Sequence, residues 1–179
     1  MKNFILFVSI LLMSHTIQAQ KYKITLNEID SFTKKHIYEV ELNPVGEISN
    51  GFRPDLIFGI NGEEFYLKVK IAAVGSIHVR KDDPLFFKFE NDGFLKFVTN
   101  KSYFFVKAVE FSHATLKPIY KIDYLTLKKF ASYKLKQLRI YYNDTYATFG
   151  LNEKESEEVK KMATELLRLS KSENDLLGK

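Results

Sequence analysis

The sequence predicts a mainly β, α+β domain: an antiparallel sheet or β-sandwich with a C-terminal amphipathic helix packed on it. Three observations carry this expectation. Turn signals at Asn61-Gly62, Asn91-Asp92-Gly93 and Asn143-Asp144 punctuate runs in which apolar residues alternate with polar ones. Only one long segment, after Asn152, follows the 3.6-residue period. The chain also holds 16 Phe and 10 Tyr with no Trp and no Cys, so aromatic burial rather than disulfides must hold the core.

In chain order, 29–41 reads as a first strand, although its polar residues crowd together. Phe65, Leu67, Val69, Ile71 and Ala73 then share one face, and Tyr66, Lys68 and Lys70 the other, the period of a half-buried strand. A two-residue turn at Asn61-Gly62 predicts that Phe58 faces Phe65 and Leu56 faces Leu67, with Asp55 opposite Lys68 and Arg53 opposite Lys70. For the second hairpin, a three-residue loop of Asn91, Asp92 and Gly93 predicts Phe89 against Leu95 and Phe87 against Phe97, with Gly93 left-handed. That register sets Lys88 opposite Lys96, a mildly destabilising like-charge pair.

A long aromatic strand is expected over 102–111, and a short extended piece over 118–123 leads into a helical turn at 124–131 capped by Asp123. Leu138, Ile140 and Tyr142 alternate up to Asn143-Asp144, where a two-residue turn pairs Ile140 with Ala147 and Leu138 with Phe149. The helix expected over about 152–170 starts at Asn152 with Glu155 three residues on, a capping box. Val159, Met162, Ala163, Leu166 and Leu167 form its buried stripe, and acidic residues early with Arg168 and Lys171 late suit the helix dipole. The tail 172–179 is expected to be mobile.

Residues 1–19 read as an export signal: Lys2 precedes an apolar run from Phe4 to Met13, and Ala19 offers a small residue for cleavage. An uncleaved anchor is the competing reading, but the run is shorter than the about 20 apolar residues of a spanning helix. The mature chain, 20–179, would then be a single β-rich domain over 20–171 with no transmembrane segment, exported to the periplasm or beyond. With no Cys, the chain cannot be a lipoprotein.

Net charge is +5 with pI near 9.1, which raises nucleic acid as a partner. Export argues against it, and so does a basic set made largely of Lys rather than the forked Arg that reads bases. His36, His78 and His113 are isolated, with no metal-binding spacing, so no metal and no cofactor are expected. His78 with Asp82 and Asp83 is the densest polar group, either an acid/base pair or a turn fixed by Asp83-Pro84, and the turn is the favoured reading. Nucleophile-elbow and phosphate-loop motifs are missing, and Glu63-Glu64 reads as a solvated turn. The remaining candidate is a surface on the outer face of the first hairpin: Arg53, Ile57, Tyr66, Lys68 and Lys70.

The segment Lys81 to Gly93, followed by Leu138-Arg139-Ile140-Tyr141 and the helix from Asn152 to Ser170, resembles a pattern in small exported proteins of Bacteroidetes-type bacteria. The resemblance implies an exported β-rich domain and carries no activity with it. The expected function is a non-enzymatic binding or structural module of the cell envelope, with an envelope protein or glycan as partner. A hydrolase assembled only in the fold, and an exported inhibitor or immunity-like protein, are the alternatives.

Overall fold

The computed structural model describes residues 22–42, 44–46, 52–74, 76–105 and 113–176. The signal-like segment 1–19 lies outside them, as do 106–112 and 177–179.

Strands β1 (Tyr22–Ile29), β2 (His36–Leu42), β3 (Asp55–Asn61), β4 (Glu64–Val74), β9 (His113–Leu116) and β10 (Ile119–Ile122) form the first sheet. Its order is β1-β2-β3-β4-β10, with β9 further along the same edge of β4. Pro118 separates β9 from β10 and lacks a donor for the ladder, but its carbonyl still accepts from Val69 N–H at 3.2 Å. The second sheet has the order β12-β11-β6-β7, from β6 (Leu85–Phe89), β7 (Phe94–Phe97), β11 (Leu135–Tyr142) and β12 (Thr145–Gly150). Short strands β5 (Ile77–Val79) and β8 (Tyr103–Phe105) pair with each other. The architecture is thus mainly β and antiparallel, with a C-terminal helix on the sheets.

The single strand expected over 29–41 is instead a hairpin. Asp30 Oδ1 accepts from Phe32 N–H at 2.9 Å and Thr33 N–H at 2.6 Å, and Lys34 takes a positive φ of 60°. This side-chain-to-backbone bonding turns the chain where alternation alone would run it straight. The first predicted register is also corrected. Phe58 pairs with Leu67 rather than Phe65, Leu56 with Val69, and Asp55 with Lys70. Gly62, at φ 60°, is the first central residue of the turn, which makes Gly62-Glu63 the loop and shifts the partner strand by two residues. A two-residue shift preserves the faces, so apolar still meets apolar.

In the second hairpin Phe87 pairs with Leu95 and Lys88 with Phe94. The loop is Glu90 to Asp92, closed by Phe89 N–H donating to Gly93 C=O at 2.9 Å, and Asp92 rather than Gly93 is left-handed, at φ 57°. The feared Lys88–Lys96 pair is therefore not formed: Lys88 bonds Asp92 at 3.0 Å and Lys96 lies over the Phe86 ring. The third hairpin follows its prediction, with Ile140 against Ala147 and Leu138 against Phe149. Asn143 and Asp144 both adopt positive φ there, the type I′ pattern.

Helix α1 (Tyr124–Ser132) starts where Asp123 accepts from Thr126 N–H at 2.6 Å. It carries Phe130 into edge-on contact with Phe58 of the first sheet and with Phe87 and Phe89 of the second, at centroid distances of 5.1, 5.0 and 5.3 Å. One ring thus joins both sheets in a common core. Helix α2 (Glu153–Leu176) buries Val159, Met162, Ala163 and Leu166 and contacts β2, β3, β11 and α1. It runs past the expected end near residue 170, so the predicted tail is helical as far as Leu176. The aromatic strand expected over 102–111 is seen only at β8, because 106–111 lies outside the described residues.

Candidate functional site

The predicted surface on the first hairpin is occupied by the protein's own charges. Gly59 has no side chain, and the Tyr66 ring lies where its Cβ would be, since a methyl there would sit 2.2 Å from Tyr66 Cζ. Tyr66 can therefore cross Gly59 and donate its hydroxyl to Glu39 Oε1 at 2.7 Å. Burial and that hydrogen bond hold the phenol well above its ordinary range. Lys68 also bonds Glu39 and lies 5.0 Å from the Tyr66 ring centroid. Lys70 reaches Asp55 at 2.6 Å and Glu41 at 3.3 Å, and Lys23 reaches Glu41 at 3.5 Å. The hydrogen bond to Asp55 raises the Lys70 ammonium pKa, while burial pushes the Asp55 carboxyl up. Glu39, Glu41 and Ile57 are buried. Lys23, Lys68 and Lys70 match Glu39, Glu41 and Asp55, so the network neutralises itself and offers a partner little unspent charge.

Arg53 does not share this face. Its Nη2 lies 3.1 Å from Glu155 Oε1, inside the capping box of α2. Glu155 N–H donates to Asn152 Oδ1 at 3.0 Å, and Glu155 Oε2 accepts from Asn152 N–H at 3.1 Å and from Gly46 N–H at 3.3 Å. The capping residue therefore also ties 44–46 and Arg53 to the helix.

The histidines are not gathered either. His36, on β2, shares a hydrogen bond of 2.7 Å with Asn27, whereas His78 is on β5 with its Nε2 3.9 Å from Asp144 Oδ2. Asp144 is already gripped by both Arg80 Nη atoms, at 2.5 and 2.9 Å. Asp83 accepts from Arg80 N–H at 2.8 Å, the turn that Asp83-Pro84 suggested. Of His113 the backbone is described, pairing with Val74 on the first sheet. No group of three His, Cys, Asp or Glu suited to a metal occurs among the described residues.

The strongest exposed constellation is on the outer face of the second sheet, which sequence reasoning did not single out. Phe94, Phe86, Tyr141 and Tyr146 run diagonally across all four strands, with successive ring centroids 5.0, 5.9 and 5.4 Å apart. Phe94 is 58% exposed and Tyr146 50%, in contrast to the buried Phe87, Phe89 and Phe149 beneath them. Two cations border the strip. Lys96 lies 6.0 Å from the Phe86 centroid, and Arg139 lies 4.6 Å from the Tyr146 centroid while its Nε donates to Thr148 Oγ1 at 2.8 Å. Neither has a carboxylate partner among the described residues. The available signal was the doublets Phe86-Phe87 and Tyr141-Tyr142, because adjacent strand residues point to opposite faces and each doublet puts one ring outside.

No helix among the described residues is long and apolar enough to cross a membrane. No known family, no curated protein and no solved structure matches this chain.

Proposed function

We propose that the protein is a non-enzymatic binding module of the cell envelope, exported by its 1–19 segment, and that it binds through the outer face of the β12-β11-β6-β7 sheet. The carrying observation is the exposed strip Phe94-Phe86-Tyr141-Tyr146 with Lys96 and Arg139 unneutralised beside it. Exposed aromatics and Arg supply large contact area at low entropic cost and recur at binding hot spots. The face takes over the role first expected of Tyr66, Lys68 and Lys70, whose groups bond one another. The hydrolase reading finds less support, since His36 and His78 stand on different sheets.

The test is sedimentation of the full mature chain with purified envelope. Phe94→Ser with Tyr146→Ser is expected to weaken retention by about tenfold or more, while Tyr66→Phe retains it. Unchanged retention in the double variant, with its fold intact by circular dichroism, would overturn the assignment.

A further inference from the structure

We infer that the ligand of this face is an acidic polysaccharide carrying carboxylates, with Arg139 as the carboxylate-binding fork; this rests on the binding role proposed for the face.

Arg139 is held in place before any ligand arrives. Thr148 takes its Nε–H at 2.8 Å, its Cζ lies over the Tyr146 ring, 4.6 Å from the centroid, and no partner in the protein occupies its two Nη atoms among the described residues. A guanidinium fixed by its Nε and stacked on a ring presents its terminal N–H groups to a planar oxyanion at little further entropic cost. Across the ladder, Arg139 pairs with Phe86, which pairs with Lys96. The two cations are therefore two strand spacings apart, roughly 9.6 Å at the backbone, with an aromatic ring between them. Such a row suits a chain molecule whose carboxylates alternate with apolar ring faces, as in a polyuronate with one sugar face over Phe86 or Tyr141.

Two other occupants fit less well. The face spans four strands, and β7 has four residues. With β12, β11 and β6 holding 6, 8 and 5 residues, the face measures roughly 360 Å², against the roughly 800 Å² per partner of a stable protein interface. Single-stranded nucleic acid carries a phosphate at every nucleotide and is bound by basic grooves that track the backbone. Here two uncompensated cations stand beside the strip, and Lys88 is spent on Asp92. A polyuronate is also charged at every sugar, but its planar carboxylates suit the Arg139 fork and its apolar sugar faces suit the exposed rings between the two cations.

The experiment titrates the full mature chain with alginate, carboxyl-reduced alginate, poly-L-glutamate and oligo-dT, by calorimetry and by hydrogen exchange over β6, β11 and β12. Alginate is expected to bind and to protect these strands, and carboxyl reduction to weaken it at least about tenfold. Arg139→Gln and Arg139→Lys are each expected to weaken it about tenfold, since Lys keeps the charge and loses the fork. Alginate binding that is unchanged in Arg139→Gln, with exchange elsewhere unaltered, overturns the assignment. Protection by poly-L-glutamate or oligo-dT without a response to alginate overturns the glycan and leaves the face a binding surface. Protection by none of the probes overturns the glycan, and only if envelope retention also survives Phe94→Ser with Tyr146→Ser does the face itself fall.

Discussion

The hydroxyl of Tyr66 donates to Glu39 Oε1 at 2.7 Å by passing over Gly59, the residue that separates them on the intervening strand. The glycine is thus a gap that an aromatic ring fills, and the ring closes a buried charge network.

Gly59→Ala is expected to destabilise by about 1–3 kcal/mol, because the new methyl meets the Tyr66 ring. In a Tyr66→Ala background the same change should be neutral or stabilising by about 0.5–1 kcal/mol, the usual gain for replacing a strand glycine. Urea midpoints of the four chains give this coupling directly. Additive effects would show that the ring does not depend on the gap.

Arg53→Met leaves the buried Glu155 carboxylate without its guanidinium and should cost about 3 kcal/mol. Adding Glu155→Gln should recover part of that loss, since the capping geometry survives and the buried charge goes. Thermal unfolding of single and double variants decides the matter, and a double variant no more stable than Arg53→Met would contradict it.

Helix α1 should lose its cap in acid. Hydrogen bonds from Thr126, its backbone N–H first, hold the Asp123 carboxyl below the ordinary range. A depressed folded-state pKa means that the stabilisation is fully present above the unfolded value and is lost as pH falls through the folded one. Asp123→Ala should therefore cost about 1 kcal/mol at pH 7 and progressively less below the carboxylate range. Asp55 has the opposite sign: burial raises its pKa, so its protonation favours the folded state and that contribution fades as pH rises through the folded value. A pH-independent cost for Asp123→Ala would refute the cap's ionic character.

Phe130→Ala should destabilise by about 3–5 kcal/mol, the cost of emptying a fully buried aromatic site. A loss below about 1 kcal/mol, read from guanidinium midpoints, would mean that the sheets hold together without it.

Much of the fold was legible wherever a local rule coincided with the face pattern. Asn143-Asp144 set a type I′ turn whose two-residue count fixed the register, and Asn152 with Glu155 announced the start of α2. Registers failed where a glycine could occupy more than one turn position. Gly62 serves as the first central residue rather than the second, and Asp92 takes the conformation expected of Gly93. Gly93 has its own constraint, since a Cβ there would lie 2.7 Å from Asn91 Oδ1. The charge pairing of the candidate surface was hidden for a different reason. Tyr66, Lys68 and Lys70 face outward as alternation says, but their carboxylate partners Glu39 and Glu41 come from a strand whose pairing no local signal specifies. The aromatic strip was hidden likewise, since Phe86 meets Tyr141 only when β6 lies beside β11, a pairing between segments far apart in sequence.

Because Phe130 follows every strand of the first sheet in the chain, that sheet has no lid until the polypeptide is complete through α1. Val40, Leu56, Phe58, Leu67 and Val69, all fully buried in the finished molecule, would stand open in a fragment ending at Ile122. Such a fragment should be sticky rather than soluble. The order of residues along the chain thus sets a moment of vulnerability, which ends only when the short helix has delivered its ring and α2, later still, has covered β2 and β3.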